Sequence, residues 1–387
     1  MKKTLLLLLL FTGTLLFAQH PEPIYSFAIV KKPVAWYKEQ IIAWKKVVDK
    51  NPTDGKAWYN YYYATRNTLR TDPADTRPQI EKDRELDALV DEMGKAIPDS
   101  YEYNLCMWQN HGFDLSYYPY LEKAFALGEG RIEHIDYIMH LGEINRNSKQ
   151  RDEGTRQKVA AGLMSPGMLY YNHNVLASLE PNAILLTVGD NDTYPAWVLQ
   201  GRDIRRDVTV INLSLIAIDS YREKLFAELG VPYTPIDWEK KDDTLSFNHT
   251  KFLNGLIKAL ASNKKGYPVY VGLTAIGHKK LVSKVEDDLY LTGLAYLYTK
   301  ETIDDMAILK KNFEQVFALD YIDHPYYQDI SETLVPIVNQ NYIVPMLKLY
   351  DHYKASGDST RQNWIRQKVI AVSKGTEAEK DVLTHLD

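Results

Sequence analysis

Asp190, Asn191 and Asp192 stand side by side in the run Gly189-Asp190-Asn191-Asp192-Thr193. Two carboxylates and an amide oxygen this close are hard donors, suited to a divalent cation such as Ca²⁺, Mg²⁺ or Mn²⁺. Read as a metal site, the run uses Asp190 and Asp192 as ligands. Read as an acid/base pair, its carboxylates would hold one proton between them. Read as a structural turn, Asp192 or Thr193 caps a helix that Pro195 helps start, and the other acid sits at the positive end of the helix dipole. The residues alone leave all three chemistries open.

The elements around the run decide where it sits. An apolar stretch from Ala183 to Val188 ends at Gly189, a short amphipathic stretch follows, and Val208 to Leu213 is a second apolar, β-branched run. Strand, acidic turn, helix and strand make a βαβ unit. Its turn emerges at the carboxyl end of a parallel strand, where open α/β sheets bind ligands. Asn212 is expected beside it at the end of the second strand. Thr274 is expected at the end of a third strand, Pro268 to Leu273. Asp219 and His173 lie near in sequence, so the candidate ligand set is Asp190, Asn191, Asp192, Thr193, Asn212, Asp219 and His173.

Other chemistry is thin. His134 and His140 are six residues apart, which puts them on different helix faces. His173 and His249 flank the α/β segment as isolated histidines. No H-E-x-x-H, G-x-S-x-G, Walker A loop or complete G-x-G-x-x-G occurs. Arg202, Arg205 and Arg206 precede the second strand and read as a solvated loop closing on nearby acids. Asp243-Thr244-Leu245 and Asp358-Ser359-Thr360 fit a loose acidic-hydroxyl pattern for periplasmic O-glycosylation, which three residues are too few to establish. The D-x-D spacing is also similar to the metal-nucleotide motif of many glycosyltransferases, a short and common pattern.

Residues 1–18 read as a signal peptide. Met1-Lys2-Lys3 is a basic start, Leu5 to Phe17 an apolar run too short to span a bilayer, and Leu16-Phe17-Ala18 a cleavage site. No other stretch is apolar enough to span, so no transmembrane segment is expected after cleavage. The localisation expected is periplasmic or secreted, in a Gram-negative type envelope. Removing Lys2 and Lys3 leaves 44 basic residues against 51 acids, a net charge of −7, which argues against a nucleic-acid partner. Cys106 is the only cysteine, so no disulfide forms within the chain and stability comes from the core.

From Val34 to about Arg156 the pattern is helical. Tyr37, Ile41, Trp44 and Val48 make one apolar face, and Asn51-Pro52-Thr53-Asp54-Gly55 ends that helix before Trp58, Tyr61, Tyr62 and Leu69 begin another. Leu86, Leu89, Val90, Met93 and Ile97 repeat the unit, followed by Pro98-Asp99 and then Tyr101, Leu105 and Trp108. Helix, proline turn and an aromatic-led helix resemble the tetratricopeptide repeat, although Pro52 and Pro98 lie farther apart than its period of about 34 residues. Many of the 28 tyrosines fall in these units; they read as helix-seam fillers with a wet hydroxyl edge. A second helical hairpin is expected near the end, Tyr342 to Tyr353 and Arg361 to Val372, around Gly357-Asp358.

Asn182 to Thr187, Gly189 to Pro195 with Trp197 and Gln200, and Arg206 to Leu215 resemble the soluble C-terminal region of a family of large bacterial membrane proteins of unknown function. The membrane portion of that family is related to protein O-mannosyltransferases. The resemblance implies a soluble α/β-plus-helices module and carries no glycosyl transfer, which would belong to the absent membrane portion. The fold class expected is α/β with flanking α-helical repeats, a small three-layer parallel-sheet core between tetratricopeptide-like (TPR-like) helical hairpins. Residues 34–155 form the TPR-like region, 156–300 the α/β domain and 301–387 a C-terminal helical region. The function expected is an exported binding or scaffolding protein whose partner is another envelope protein, met through the helical repeats. The alternative is a metal-dependent hydrolase or sugar-phosphate transferase using Asp190 and Asp192.

Overall fold

The computed structural model describes residues 20–112, 114–233, 238–241, 244–247, 249–276, 285–323 and 328–387. The expected leader, residues 1–18, lies outside them, as do Asp243 and the side chain of His249. Two compact units divide the chain. One holds Lys32–Glu129 with the chain up to Tyr25, and the other holds Gly130–Asp387 with Ser26–Lys31.

The first unit consists of helices α1 (Val34–Lys50), α2 (Gly55–Thr71), α3 (Gln79–Ala96), α4 (Tyr101–Asn110) and α5 (Tyr118–Leu127). The stripe read from spacing is the core: Tyr37, Trp44 and Val48 of α1 and Leu86, Leu89, Val90 and Met93 of α3 are buried. The proline breaks end in caps. Asp54 accepts the Ala57 N–H at 2.9 Å and Ser100 the Tyr103 N–H at 3.0 Å, which satisfies amides the helices cannot. Packing of α1 on α2 and α3 on α4 makes two helical hairpins. Tyr59, Tyr62, Tyr63 and Tyr101 fill their seams, whereas Tyr61, Tyr103, Tyr117 and Tyr120 are only partly buried.

The second unit opens with α6 (Ile135–Ile144) packed on α7 (Ser148–Ala160), followed by α8 (Pro166–Ala177), which Ser165 caps. Then come β1 (Ile184–Thr187), α9 (Asp190–Gln200), β2 (Thr209–Asn212) and α10 (Asp219–Leu229), which stops at Gly230 with φ 66°. Next, β3 (Trp238–Lys241) and β4 (Thr244–Phe247) pair antiparallel, from Trp238↔Phe247 to Lys241↔Thr244. Two intervening residues suffice for an antiparallel pair. After α11 (His249–Ala261) come β5 (Val269–Gly272), α12 (Leu273–Ile276), β6 (Leu289–Leu291) and β7 (Ala295–Tyr298). The tail is helical: α13 (Asp305–Lys311), α14 (Asp320–Asp323), α15 (Val335–Asn339), α16 (Ile343–Ser356), α17 (Ser359–Ser373) and α18 (Glu379–Leu386). The expected terminal hairpin is α16 on α17, turned by Gly357 at φ 75° and capped by Asp358.

The sheet runs β2-β1-β5-β7-β6. β1 pairs in parallel with β2 and with β5, and both β1 and β5 are buried at every position, as strands covered on both faces must be. The sheet is mixed rather than wholly parallel. Residues 289–298 hold two strands paired antiparallel, since the three residues between them cannot make the long crossover a parallel pair needs. This small mixed sheet flanked by helical hairpins is the α/β-plus-helices architecture that the sequence implies.

Candidate functional site

β1 lies between β2 and β5, so the chain leaves β1 on one side through α9 and returns on its other side at β5. That reversal marks a topological switch point, with its crevice between the carboxyl ends of β1 and β5. The acidic turn stands there. Gly189 carries φ 76° and ψ −176°, a conformation essentially restricted to glycine, which swings the chain from strand straight into helix. Gly189 is therefore the helix N-cap, and Asp190 and Asp192 are inside the first turn. The cap role expected for Asp192 or Thr193 is corrected accordingly.

Asp192 reaches backward. Its Oδ2 accepts the Val188 N–H at 2.7 Å and the hydroxyl of Thr274, the first turn after β5. One carboxylate thereby ties together both strands of the switch point. Asp192 is 5% exposed, and its Oδ1 has no hydrogen-bond partner. Burial outweighs the two donated hydrogen bonds and pushes its pKa up to about 7, with the Asp190 charge adding to the rise.

Thr193 and Asn212 lock the other side. The Asn212 amide donates to Thr193 Oγ1 at 2.9 Å and to the Gly189 carbonyl at 3.2 Å, while its oxygen accepts the Ser214 N–H at 2.8 Å. Thr193 Oγ1 also lies 2.8 Å from Thr187 Oγ1 at the end of β1. Every polar group of Asn212 is spent on the corner itself.

Pro195 sits inside α9 rather than at its start. Lacking an N–H, it leaves the carbonyl of Asn191 without its helical partner. The Asn172 amide of α8 supplies the missing donor at 2.9 Å. The contact between α8 and the turn thus runs through Asn172, not through His173, which is half-buried and whose side chain makes no hydrogen bond among the described residues. Asp219 is likewise not part of the constellation. Its side chain is 67% exposed and pairs with the buried Arg222 one turn along α10.

Behind the turn lies a second polar group that spacing did not reveal. The Tyr194 hydroxyl meets His140 Nε2, Lys158 Nζ lies 5.2 Å from the centre of the Tyr194 ring, and Lys158 pairs with Asp136 at 2.6 Å. Burial lowers the His140 pKa to about 4, against the pull of Asp136. Asp190, Asn191, Tyr194, Lys158, Ser165 and Ser331 border a small cleft of ≈ 10 Å³, room for about one water. Of the three arginines before β2, two close on local acceptors: Arg205 binds Asp207 at 2.9 Å and the Leu179 and Glu180 carbonyls, and Arg206 binds Asp203 and Asp152.

A hard cation needs a ring of convergent oxygens. Among the described residues no group of three or more His, Cys, Asp or Glu is placed to hold a metal ion. Asp190 and Asp192 face different partners. Asp190 borders the cleft beside Tyr194, while Asp192 turns inward to Val188 and Thr274.

The family model described as TMEM260-associated domain 2 matches residues 169–245, a span that runs from α8 through the acidic turn, α9, β2 and α10 into β4. No curated protein and no solved structure matches the chain.

Proposed function

We propose that this chain is an exported, periplasmic or secreted binding and scaffolding protein without catalysis of its own, working beside envelope glycosylation or assembly. The observation that carries the proposal is the internal bracing of the turn. Asp192 Oδ2, Thr193 and Asn212 are committed to one another, to the backbone and to Thr274, so they brace an edge instead of offering free convergent groups to a metal or a substrate.

The 169–245 match, to a domain described as TMEM260-associated, covers this braced turn. The Gly189-Asp190-Asn191-Asp192-Thr193-Tyr194-Pro195 motif, similar to the soluble part of a membrane-protein family, lies within the match. Among the described residues no helix is long and apolar enough to cross a membrane. The partner is an envelope protein, and the TPR-like hairpins of the first unit, with Tyr61, Tyr103, Tyr117 and Tyr120 half-exposed, are the surface that meets it.

Incubating the mature chain with nucleotide-sugar and sugar-phosphate donors, with Mg²⁺ or Mn²⁺, is expected to give no release or transfer above buffer. Cross-linking in intact cells is expected to join it to one defined envelope protein, through half-exposed tyrosines of the first unit. Cation-dependent turnover that disappears in Asp190→Ala would replace this reading with the metal-dependent hydrolase or transferase.

A further inference from the structure

At the edge of the sheet opposite the acidic turn lies an open groove of ≈ 880 Å³. It is framed by the last turn of α11, the start of β5, the end of β7 and Glu180 before β1. Its volume falls within the range of small-molecule sites, about 300–1,000 Å³. None of the residues discussed above as ligands belongs to it.

The groove lining sets two lysines, Lys258 and Lys300, against two carboxylates, Glu180 and Glu301, in a chain whose net charge is −5 over its full length. Lys258 and Lys300 line it, both exposed, and Lys264 and Lys265 stand on the turn that leads into it. None of the four has a carboxylate partner among the described residues. The turn is built, not loose. Buried Asn263 donates to the Leu260 carbonyl at 2.8 Å and the Tyr267 carbonyl at 2.9 Å and accepts the Tyr267 N–H at 2.9 Å, and Gly266 carries φ 67°. Lys265 Nζ lies 5.6 Å from the centre of the Tyr267 ring, and the two lining lysines, Lys258 and Lys300, attract an anion more strongly in a concavity than they would on a convex face.

The remaining lining narrows the anion. Glu301 is exposed, and Thr299 Oγ1 accepts the Glu301 N–H at 3.1 Å, which leaves the hydroxyl proton free to donate outward. Glu180 is held by the Tyr270 hydroxyl at 2.9 Å. Carboxylates within the groove disfavour a polyanion, and they accept well from the hydroxyls of a polyol. Tyr267 adds a half-buried aromatic ring.

We propose that this groove binds a sugar bearing a single anionic group, phosphate or carboxylate. Lys258 and Lys300 hold the anion, and Glu301 and Thr299 meet the hydroxyls. The proposal uses none of the acidic-turn residues and stands or falls separately from the scaffolding function.

Titration calorimetry of the full mature chain tests it with three probes: glucose 6-phosphate, glucuronic acid and glucose. At least one anionic sugar is expected to bind saturably, more weakly as salt rises, with glucose at least about tenfold weaker. The arm that binds identifies the source of the charge as phosphate or carboxylate. Lys258→Ala with Lys300→Ala is expected to weaken binding by about tenfold or more, Lys258→Arg with Lys300→Arg to retain it, and Asp190→Ala at the far edge to leave it unchanged. Both lysines are exposed, so the variants are expected to fold, and an unchanged melting temperature checks that. Glucose binding equal to that of the anionic sugars, no binding of either anion at roughly 10 mM, or an alanine variant that binds like wild type would overturn the proposal.

Discussion

Replacing Glu143 with alanine is expected to lower the unfolding free energy by about 3–5 kcal/mol, the usual cost of removing one partner from a buried ion pair. The Glu143 side chain is 2% exposed at the meeting of α6, α7 and α10. It accepts from Arg146, from Arg151 at 2.8 Å and from the Tyr221 hydroxyl at 2.8 Å. Arg146 would keep Glu228 at 2.9 Å, but Arg151 would be left with Asp152 at 3.7 Å and Tyr221 with a buried, unmet donor. Because α7 packs on α9, the loss reaches the scaffold of the acidic turn. Urea unfolding measures it as a lowered midpoint with an unchanged slope. Glu143→Leu combined with Arg151→Met is expected to recover part of the loss, since apolar replacement of both partners removes the stranded charge. A cost below about 1 kcal/mol for the single variant would mean that the cluster is solvated and does not brace these helices.

Asp192 and His140 are expected to give opposite pH dependences that nearly cancel in the wild type. Asp192 is raised from 3.8 to about 7, so the folded chain holds a proton that the unfolded chain releases as pH rises through this window. Stability from this residue therefore falls as pH rises from about 4 to about 7. His140 is lowered from 6.5 to about 4, so the unfolded chain takes up a proton that the folded chain refuses. Its contribution falls as pH drops from about 6.5 to about 4. Each full slope is about 1.4 kcal/mol per pH unit. Relative to wild type, Asp192→Asn is expected to gain stability as pH rises across this range, and His140→Gln to lose it. Chemical denaturation at pH 4.5, 5.5 and 6.5 (three points spanning the shared window, about one pH unit apart) reads the two differences. Parallel curves for both variants and the wild type would show that neither group titrates abnormally.

The βαβ unit was legible because its signals are local: apolar runs of strand length, Gly189 between them, and parallel strands whose carboxyl ends must share an edge. That reasoning placed Asp192, Thr193, Asn212 and Thr274 together, and the structure joins them by hydrogen bonds. Asp219 misled because a carboxylate near a ligand edge looks available, although Arg222 three residues along the same helix is its natural partner. His173 misled by one residue. The signal for Asn172 was present in Pro195, since a proline within a helix leaves a carbonyl four residues back in need of a donor. The clusters around Glu143 and Tyr194 were not legible. They join helices whose faces carry no periodic mark of which buried charge meets which, and such pairings are set by tertiary packing. The antiparallel half of the sheet was not read, although Thr292-Gly293 interrupts the apolar segment where β6 turns back into β7.

The central claim, that the acidic turn is a braced corner of a binding protein and not a metal-dependent active site, is tested most directly by calorimetric melting of wild type, Asp190→Ala and Asp192→Ala with and without millimolar Ca²⁺, Mg²⁺ or Mn²⁺. A cation bound at the turn would raise the melting temperature of the wild type alone, by mass action on the folded state. The wild type is expected to be indifferent to all three ions. Asp192→Ala is also expected to melt lower than Asp190→Ala whatever the ion, near pH 5, where Asp192 is protonated in the fold and its ties to Val188 and Thr274 carry no charge penalty. A cation-dependent rise in the wild type that both alanine variants lack would contradict the central claim.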